Sequence, residues 1–304
     1  MPATNANQSM VSSANFVSKV WQVRQPATVS TAAITSIHKS RGFMTRIYHM
    51  KPEFPNQVRM WYNTRMEYRK IPKTDMEVSE VCLGTWVFGG ENWGGADDAR
   101  SARVVEKAVD MGVNLIDTAP VYGYGRSEEV VGRAIKGRRD KIYIATKCGL
   151  EGKGMSIRPN LKRSFIREEI ENSLRRLGVE VIDLYQVHWP DENTPLEETF
   201  TELDKLVKEG KVRYIGVCNY NKELLASALE YAQIVTDQME YSIFHRGIEK
   251  ELIPFCGEKE VGILGYGTLG GGILTGKYKE PPKFPKNDAR TFFYHYYDKA
   301  FFEK

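Results

Sequence analysis

The sequence contains only four cysteines in 304 residues, and no two of them form a C-x-x-C pair. This argues against a disulfide framework or a zinc site and fits a reducing compartment. No apolar run approaches the length needed to cross a bilayer, so no membrane association is expected. The apolar fraction of 41% and the charged fraction of 27% are ordinary for a globular protein.

Acidic residues are almost absent from the first 65 positions, which carry eight Lys and Arg but a single acid, Glu53. The rest of the chain has a net charge of −3, which predicts no nucleic-acid surface. A basic, acid-poor and hydroxyl-rich segment is typical of an organellar transit peptide. The alternative is an upstream stretch that is not normally translated, with Met66 as the true start. In both cases residues 1–65 are predicted to be a disordered basic leader, and residues 66–304 the folded part.

Short β-branched runs alternate with helical patterns from Met66 onward. Two short strands, 67–71 and 77–80, predict a hairpin. Seven strands follow, and their near-continuously apolar character predicts a parallel sheet covered by helices. The strands are expected at 81–86, 113–118, 141–147, 181–188, 212–219, 234–239 and 262–266, and the helices at 97–111, 127–135, 165–177, 195–210, 222–231 and 248–259.

Polar side chains stand at the C-terminal ends of six successive strands: Thr85, Asp117, Lys147, His188, Asn219 and Gln238. A closed barrel brings such strand ends to one mouth, whereas an open sheet would spread six strands over roughly 24 Å. We therefore predict an α/β fold of the TIM (β/α)8-barrel type. No eighth strand is visible before Lys304, so the sequence is interpreted as an incomplete barrel that lacks its last βα unit, with an inactive fragment as one alternative.

Tyr122 follows Asp117 by five residues and is a candidate proton donor. A tyrosine with an ordinary pKa of about 10 is a poor acid at neutral pH unless its anion is stabilised. An ammonium such as Lys147 would stabilise the anion, Asp117 would hold the lysine, and His188 could donate from the other side. Such a cluster can give a proton to a carbonyl oxygen while a hydride reaches its carbon. Each residue alone is more often structural, so this prediction depends on their convergence.

Six motifs follow one another in order between Met66 and about Arg290. They are Asp117-Thr118-Ala119-x-x-Tyr122-Gly123, Ala145-Thr146-Lys147, Gln186-Val187-His188-Trp189-Pro190-Asp191, Gly216-Val217-Cys218-Asn219, Gln238-Met239-Glu240-Tyr241-Ser242 and Leu274-Thr275-Gly276-Lys277-Tyr278. Together they resemble the aldo-keto reductase family. The resemblance implies a (β/α)8 barrel with an N-terminal hairpin plugging its base, and NADPH-dependent reduction of aldehydes and ketones. It gives Tyr122 the role of general acid, Lys147 and Asp117 that of tuning it, and His188 that of an orienting donor.

The resemblance also implies an NADP(H) site and no metal site. The positions matching the family's cofactor contacts are Thr85, Trp86, Asp117, Cys218, Asn219, Gln238, Tyr266, Gly267, Leu269, Gly270, Gly272 and Lys277. Glycines allow backbone N–H groups to approach a pyrophosphate. Cys218 stands where serine is commoner and Thr268 where proline is commoner. The family's segment that recognises the adenosine 2′-phosphate follows the eighth strand and is absent.

Two other functions fit parts of the pattern. Lys147 could form a Schiff base in an aldolase-like barrel, although Asp117 would keep it charged. A non-catalytic, nicotinamide-binding regulatory subunit of the potassium-channel β type is the other, but His188 favours an enzyme. The expected partner is a small carbonyl compound, because aromatic side chains at the mouth favour an apolar pocket. These are Trp86, Phe88, Trp93, Tyr124 and Trp189. The expected location is cytoplasmic, or organellar if residues 1–65 are a transit peptide.

Overall fold

The computed structural model describes residues 66–302, so the leader predicted at 1–65 lies outside the described residues. Strands and helices alternate along most of this part of the chain. The strands are β1 (Tyr68–Lys70), β2 (Glu77–Ser79), β3 (Leu83–Gly84), β4 (Leu115–Asp117), β5 (Tyr143–Cys148), β6 (Leu150–Glu151), β7 (Arg158–Pro159), β8 (Ile182–Val187), β9 (Val212–Cys218), β10 (Ile234–Glu240) and β11 (Gly262–Tyr266). The helices are α1 (Asp98–Asp110), α2 (Arg126–Ala134), α3 (Arg163–Leu177), α4 (Leu196–Lys208), α5 (Lys222–Ala228), α6 (Leu252–Lys259), α7 (Arg290–Phe293) and α8 (Lys299–Phe302).

Seven parallel strands form the main sheet, in the order β11-β10-β9-β8-β5-β4-β3. This confirms the prediction of an α/β fold with a barrel-type parallel sheet, of which residues 66–302 contribute seven strands. The strand register brings Asp117 opposite Ala145, and Lys147 opposite Gln186. Consecutive strands therefore end close to the same edge, which places their terminal side chains near one another.

The predicted hairpin is present as the antiparallel pair β1 and β2. Met76 in its turn region is fully buried and packs with Leu115, Ala145 and Leu184, which lie on strands of the main sheet. A larger apolar cluster fills the space between sheet and helices and includes Ile166, Ile170 and Leu177 of α3. Burial of such side chains contributes roughly 1.5–3 kcal/mol each, so the two apolar layers hold the strand ends in place. Among the described residues, no helix is long and apolar enough to span a membrane.

The first strand of the sheet is much shorter than the predicted 81–86. Only Leu83–Gly84 pair as a strand, and a 3-10 turn begins at Trp86. Val81 is a β-branched residue of the kind that favours strands, but it is 60% exposed and does not pack in the core. Its residue type therefore extended the predicted strand too far. The helix predicted from residue 248 begins at Leu252, after a separate 3-10 turn over Gly247–Glu249. The short hairpin of β6 and β7 was not predicted, because two-residue strands leave no periodic pattern.

Candidate active site

Asp117, Tyr122, Lys147 and His188 meet at the C-terminal edge of the sheet, and we call them the strand-end cluster. Lys147 Nζ donates to both carboxylate oxygens of Asp117, at 2.8 and 2.7 Å. The same ammonium lies 3.3 Å from the hydroxyl of Tyr122 and donates to the carbonyl of Thr118 at 3.0 Å. The ring of His188 stands edge-on to Tyr122, with 5.8 Å between centroids. All four residues predicted from the sequence are thus brought together.

Asp117 accepts more hydrogen bonds than the sequence suggested. Its Oδ1 also accepts from Gln186 Nε2 at 3.2 Å and from Gln238 Nε2 at 2.9 Å. These two amides orient the carboxylate. Its Oδ1 accepts from both amides and from Lys147, and its Oδ2 accepts from Lys147. Gln186 was missed as a site residue, although it lies on β8 two positions before His188, which directly follows the strand, and this alternation places both on the same side of the sheet.

Burial and the Asp117–Lys147 ion pair set the protonation states of the cluster. Burial raises the pKa of Tyr122 to about 12, and the positive charge of Lys147 partly opposes this. Burial by itself would lower the pKa of Lys147, but Asp117 and its other neighbours raise it above its ordinary value. Burial, aided by Lys147, lowers the pKa of His188 well below its usual range. At neutral pH the cluster therefore holds a protonated phenol, an ammonium and a neutral imidazole.

An aromatic wall stands beside Tyr122. The ring of Trp86 stacks on Tyr122 with 6.1 Å between centroids, and Trp93 and Phe293 approach Trp86 edge-on at 5.1 and 5.0 Å. Phe293 comes from α7, more than 200 residues along the chain from Trp86, and nothing in its local sequence marked it. Phe88, expected in the pocket, is buried in the apolar core instead, because the 3-10 turn after Trp86 directs it inward.

Five of the predicted cofactor positions lie at the strand-end cluster or contact a residue that does. The hydroxyl of Tyr266 donates to Asn219 Oδ1 at 2.9 Å, and Asn219 Nδ2 donates to the carbonyl of His188 at 3.1 Å. Cys218 Sγ lies 3.8 Å from Gln238 Oε1, a long contact of the kind expected from a weak thiol donor. Thr85 is fully buried behind Asp117, where its hydroxyl donates to the main-chain carbonyl of that residue at 2.9 Å.

The glycine-rich segment after β11 forms an irregular turn. Gly267, Gly270 and Gly272 have φ values of 65°, 56° and 110°, which side chains disfavour. Leu269 is 57% exposed in this turn, and Lys277 follows it with its ammonium 5.4 Å from the Tyr278 ring. Among the contacts described for residues 66–302, none joins Lys277 to the strand-end cluster. A turn of this kind with a cation beside it fits an anionic group such as a pyrophosphate.

The site also offers a buried polar atom that has no partner. Gln186 Oε1 is inaccessible and forms no hydrogen bond to the described residues. Such an atom fits an arriving amide or hydroxyl, because leaving it unpaired costs free energy. Within residues 66–302, no group of three or more His, Cys, Asp or Glu side chains is placed to hold a metal ion. The strand-end cluster can give a proton from Tyr122 to an organic group bound beside it, and Lys147 can stabilise the phenolate that is left.

Comparison with known proteins identifies a family model and close relatives. The model of the aldo/keto reductase family matches residues 80–301. The aldo-keto reductase YhdN of Bacillus subtilis is 44% identical over 228 residues, which cover 74% of this chain and 69% of YhdN. The NADH-specific methylglyoxal reductase of Escherichia coli is 39% identical, over 68% of this chain and 69% of the relative.

A solved structure shows the same similarity at the level of the fold. It is the glycerol dehydrogenase AKR11B4 from Gluconobacter oxydans, which superposes with a TM-score of 0.71 at 43% sequence identity. The alignment covers 78% of this chain and 74% of the dehydrogenase. Sequence and fold thus agree on one family over the part of the chain that carries the cluster.

Proposed function

Because this chain belongs to the aldo-keto reductase family, we propose that it reduces small aldehydes or ketones to alcohols with NADPH, using Tyr122 as the general acid. The observation that carries this proposal is the position of Lys147 Nζ. It lies within hydrogen-bond distance of both Asp117 and the Tyr122 hydroxyl. A phenol can give up its proton there because the phenolate is formed beside a fixed positive charge.

The reaction proposed for the strand-end cluster reduces a carbonyl group to an alcohol. The nicotinamide, when bound, supplies the hydride that forms the new C–H bond. As the carbonyl π pair moves to oxygen, Tyr122 gives its proton to that oxygen and is left as a phenolate next to Lys147. Asp117 keeps Lys147 charged and in place, and the neutral ring of His188 can donate to the same oxygen. Solvent then returns a proton to Tyr122.

The residues proposed to hold the cofactor form two groups. Asn219, Gln238 and Tyr266 line the cluster and are suited to the nicotinamide, with Cys218 behind them and Trp86 on the other side of Tyr122. The turn with Gly267, Leu269, Gly270 and Gly272, followed by Lys277, is suited to the pyrophosphate. The proposal of NADPH follows the family resemblance, whereas one relative is NADH-specific. Fluorescence titration with both nucleotides decides the choice, and tighter binding of NADH would reject the NADPH proposal.

The proposed substrates are small aldehydes and ketones with apolar substituents. Trp86, Trp93 and Phe293 pack edge to face beside Tyr122, which leaves an apolar wall next to the proton donor. The named relatives act on methylglyoxal and glycerol, which are a small carbonyl compound and a small alcohol. A panel of carbonyl compounds, followed by NADPH oxidation, tests this proposal. A response to sugar phosphates alone would contradict it.

The Tyr122→Phe variant tests the acid role directly. It removes the proton donor but keeps the ring, so kcat should fall by about 10²–10⁴-fold while NADPH binding stays nearly unchanged. Steady-state kinetics and fluorescence quenching measure the two quantities. Tyr231→Phe, at a position 43% exposed, is the matched control and should behave like the unmodified protein. Retention of most of the activity by Tyr122→Phe would remove Tyr122 from this role.

A further inference from the structure

Two consecutive polar residues in the first turn of α2, Ser127 and Glu128, are both fully buried. Complete burial of a hydroxyl and a carboxylate is costly unless both are hydrogen-bonded. Neither residue belongs to the strand-end cluster or to the proposed cofactor site. We call them the Ser127–Glu128 pair and ask what they hold in place.

Ser127 connects the ends of two strands to the loop that carries Tyr122. Its hydroxyl donates to the carbonyl of Thr85 at 2.9 Å and lies 2.7 Å from the Thr85 hydroxyl. The Thr118 hydroxyl is 3.0 Å away on the other side. The backbone N–H of Ser127 donates to the carbonyl of Tyr122 at 3.2 Å. One residue thus fixes the main chain of Tyr122 relative to β3 and β4.

Glu128 connects the same helix to β5 and α3. One carboxylate oxygen accepts from the Thr146 hydroxyl at 2.7 Å, and the other accepts from Arg176 Nε at 2.6 Å. Thr146 directly precedes Lys147 on β5, and successive strand residues face opposite sides of the sheet. Glu128 therefore holds the strand from the helix side while Lys147 points into the cluster.

The start of α2 is itself fixed by Arg176. Gly125, just before the helix, has φ 97°, and a Cβ built there would lie 2.5 Å from Cδ of Arg176. Only a glycine allows both the backbone conformation and the close approach of this arginine. Arg176 thus contacts both Gly125 and Glu128, and the first turn of α2 has little freedom to shift.

We propose that the Ser127–Glu128 pair positions Tyr122 and Lys147, setting the 3.3 Å separation between the phenol and the ammonium. Ser127 holds the main chain of Tyr122, Glu128 holds the strand of Lys147, and the two are adjacent in one helical turn. The inference rests on the proposed function, because the separation matters only if Lys147 stabilises the phenolate of Tyr122 during the reaction. A displacement of 1 Å in such a geometry can cost about 10²-fold in rate.

Kinetics of Glu128→Gln and Ser127→Ala test the inference in the full chain. With Lys147 farther from Tyr122, the phenol becomes a weaker acid, so kcat for reduction should fall about tenfold or more at neutral pH. Alcohol oxidation, which needs the phenolate, should also fall at every pH between 6 and 10, because a higher pKa of Tyr122 lowers the phenolate fraction, while the Kd for NADPH stays within about twofold. The controls are Glu129→Gln and Ser164→Ala, exposed positions in the first turns of α2 and α3, and these should change nothing.

A merely structural role would lower the melting temperature and the activity while leaving the separation between Lys147 Nζ and the Tyr122 hydroxyl unchanged, and that result would overturn the inference. Thr146→Val is the second variant, because it keeps the shape of the side chain but removes the hydrogen bond to Glu128. Thr146→Val also tests the inference if Glu128→Gln does not fold.

Crystal structures of Glu128→Gln and Thr146→Val give a readout that does not depend on activity. The separation between Lys147 Nζ and the Tyr122 hydroxyl should increase beyond hydrogen-bond distance from its present 3.3 Å. An unchanged separation in both variants would overturn the inference. If Tyr122→Phe keeps its activity, the proposed function fails, but this distance still decides whether the pair has the positioning role.

Discussion

Tyr122 combines a high pKa with a neighbouring positive charge. Burial raises its pKa to about 12 even though Lys147 lies 3.3 Å away. The phenol is thus protonated throughout the neutral range, as a general acid must be before it reacts. In the proposed function, the reverse reaction is alcohol oxidation, which needs the phenolate of Tyr122 as a base, and only a small fraction of the protein has it near pH 7.

The two directions of the reaction should therefore differ in their pH dependence. Carbonyl reduction should lose no rate through Tyr122 ionisation between pH 6 and 10, because the phenol stays protonated below about 12. Alcohol oxidation should rise about tenfold per pH unit over the same range, as long as proton transfer limits the rate. Initial rates in both directions measure this, and an oxidation rate that levels off below pH 9 would contradict it.

Asp237 is a second residue whose charge state depends on burial. It is fully buried in β10, and neither carboxylate oxygen has a hydrogen-bond partner among the side chains and backbone described. Burial raises its pKa to about 8, and the nearby backbone of Tyr220 partly opposes this. Because the folded pKa lies above the ordinary aspartate value of 3.8, its contribution to stability is complete below pH 3.8 and is lost as pH rises through about 8.

Asp237→Asn should remove this pH dependence. The amide has nearly the same shape and does not ionise, so the variant should gain stability relative to the unmodified protein as pH rises. Melting temperatures at pH 5 and pH 8.5 measure the effect, and the difference between the two proteins should change by at least about 2 °C in favour of the variant. Parallel curves over this range would show that Asp237 is ionised in the folded protein.

At the opposite end of the sheet, ion pairs join neighbouring strands to the hairpin. Asp183 of β8 is 2% exposed and pairs with Arg139 at 2.6 Å and with Arg213 of β9 at 2.7 Å. It also accepts a hydrogen bond from the Ile144 amide of β5 at 2.8 Å. Arg213 continues to Asp75 in the hairpin turn at 2.6 Å. This chain of contacts fixes three strands and the hairpin relative to one another.

Asp183→Ala should destabilise the protein without altering its chemistry. Removing this buried carboxylate takes one ion-pair partner from each of Arg139 and Arg213 and leaves the Ile144 amide without its acceptor, at a cost of about 3 kcal/mol in the free energy of unfolding. Urea unfolding measures this, and kcat at 20 °C should stay within about twofold. The control is Asp204→Ala, which breaks the exposed pair with Lys208 and should cost less than about 0.5 kcal/mol. Equal costs for the two variants would show that the buried network contributes little.

The described core and the described site both lie within residues 66–302. The described core residues extend from Ile71 to Ala289, and the site residues from Thr85 to Phe293. We propose that residues 1–65 contribute neither to this core nor to the chemistry, as their basic, acid-poor composition indicates.

A protein that begins at Met66 should therefore keep the stability and the nucleotide affinity of the full chain. Thermal unfolding and fluorescence titration of the two proteins side by side measure both quantities. The melting temperatures should agree within about 2 °C and the Kd values within about twofold. A loss of more than about 5 °C in the shorter protein would assign a structural role to the leader.

The sequence alone was sufficient for the alternation of strands and helices, the hairpin and the four residues of the strand-end cluster. These features depend on local periodicity and on polar residues that end apolar strands, and both are visible in short windows. The sequence did not predict β6 and β7, because two-residue strands are too short to show a periodic pattern. It predicted the first strand of the main sheet as too long, because Val81 favours a strand by residue type but is exposed.

Only the tertiary structure decided which side chains support the cluster. Gln186 contacts Asp117 across 69 residues, Phe293 contacts Trp86 across most of the chain, and Glu128 contacts Thr146 across 18 residues. Such contacts depend on the register of neighbouring strands and on how each helix packs against the sheet. Residue type and spacing along the chain carry little of that information, because a hydrogen bond requires positions correct to a few tenths of an ångström.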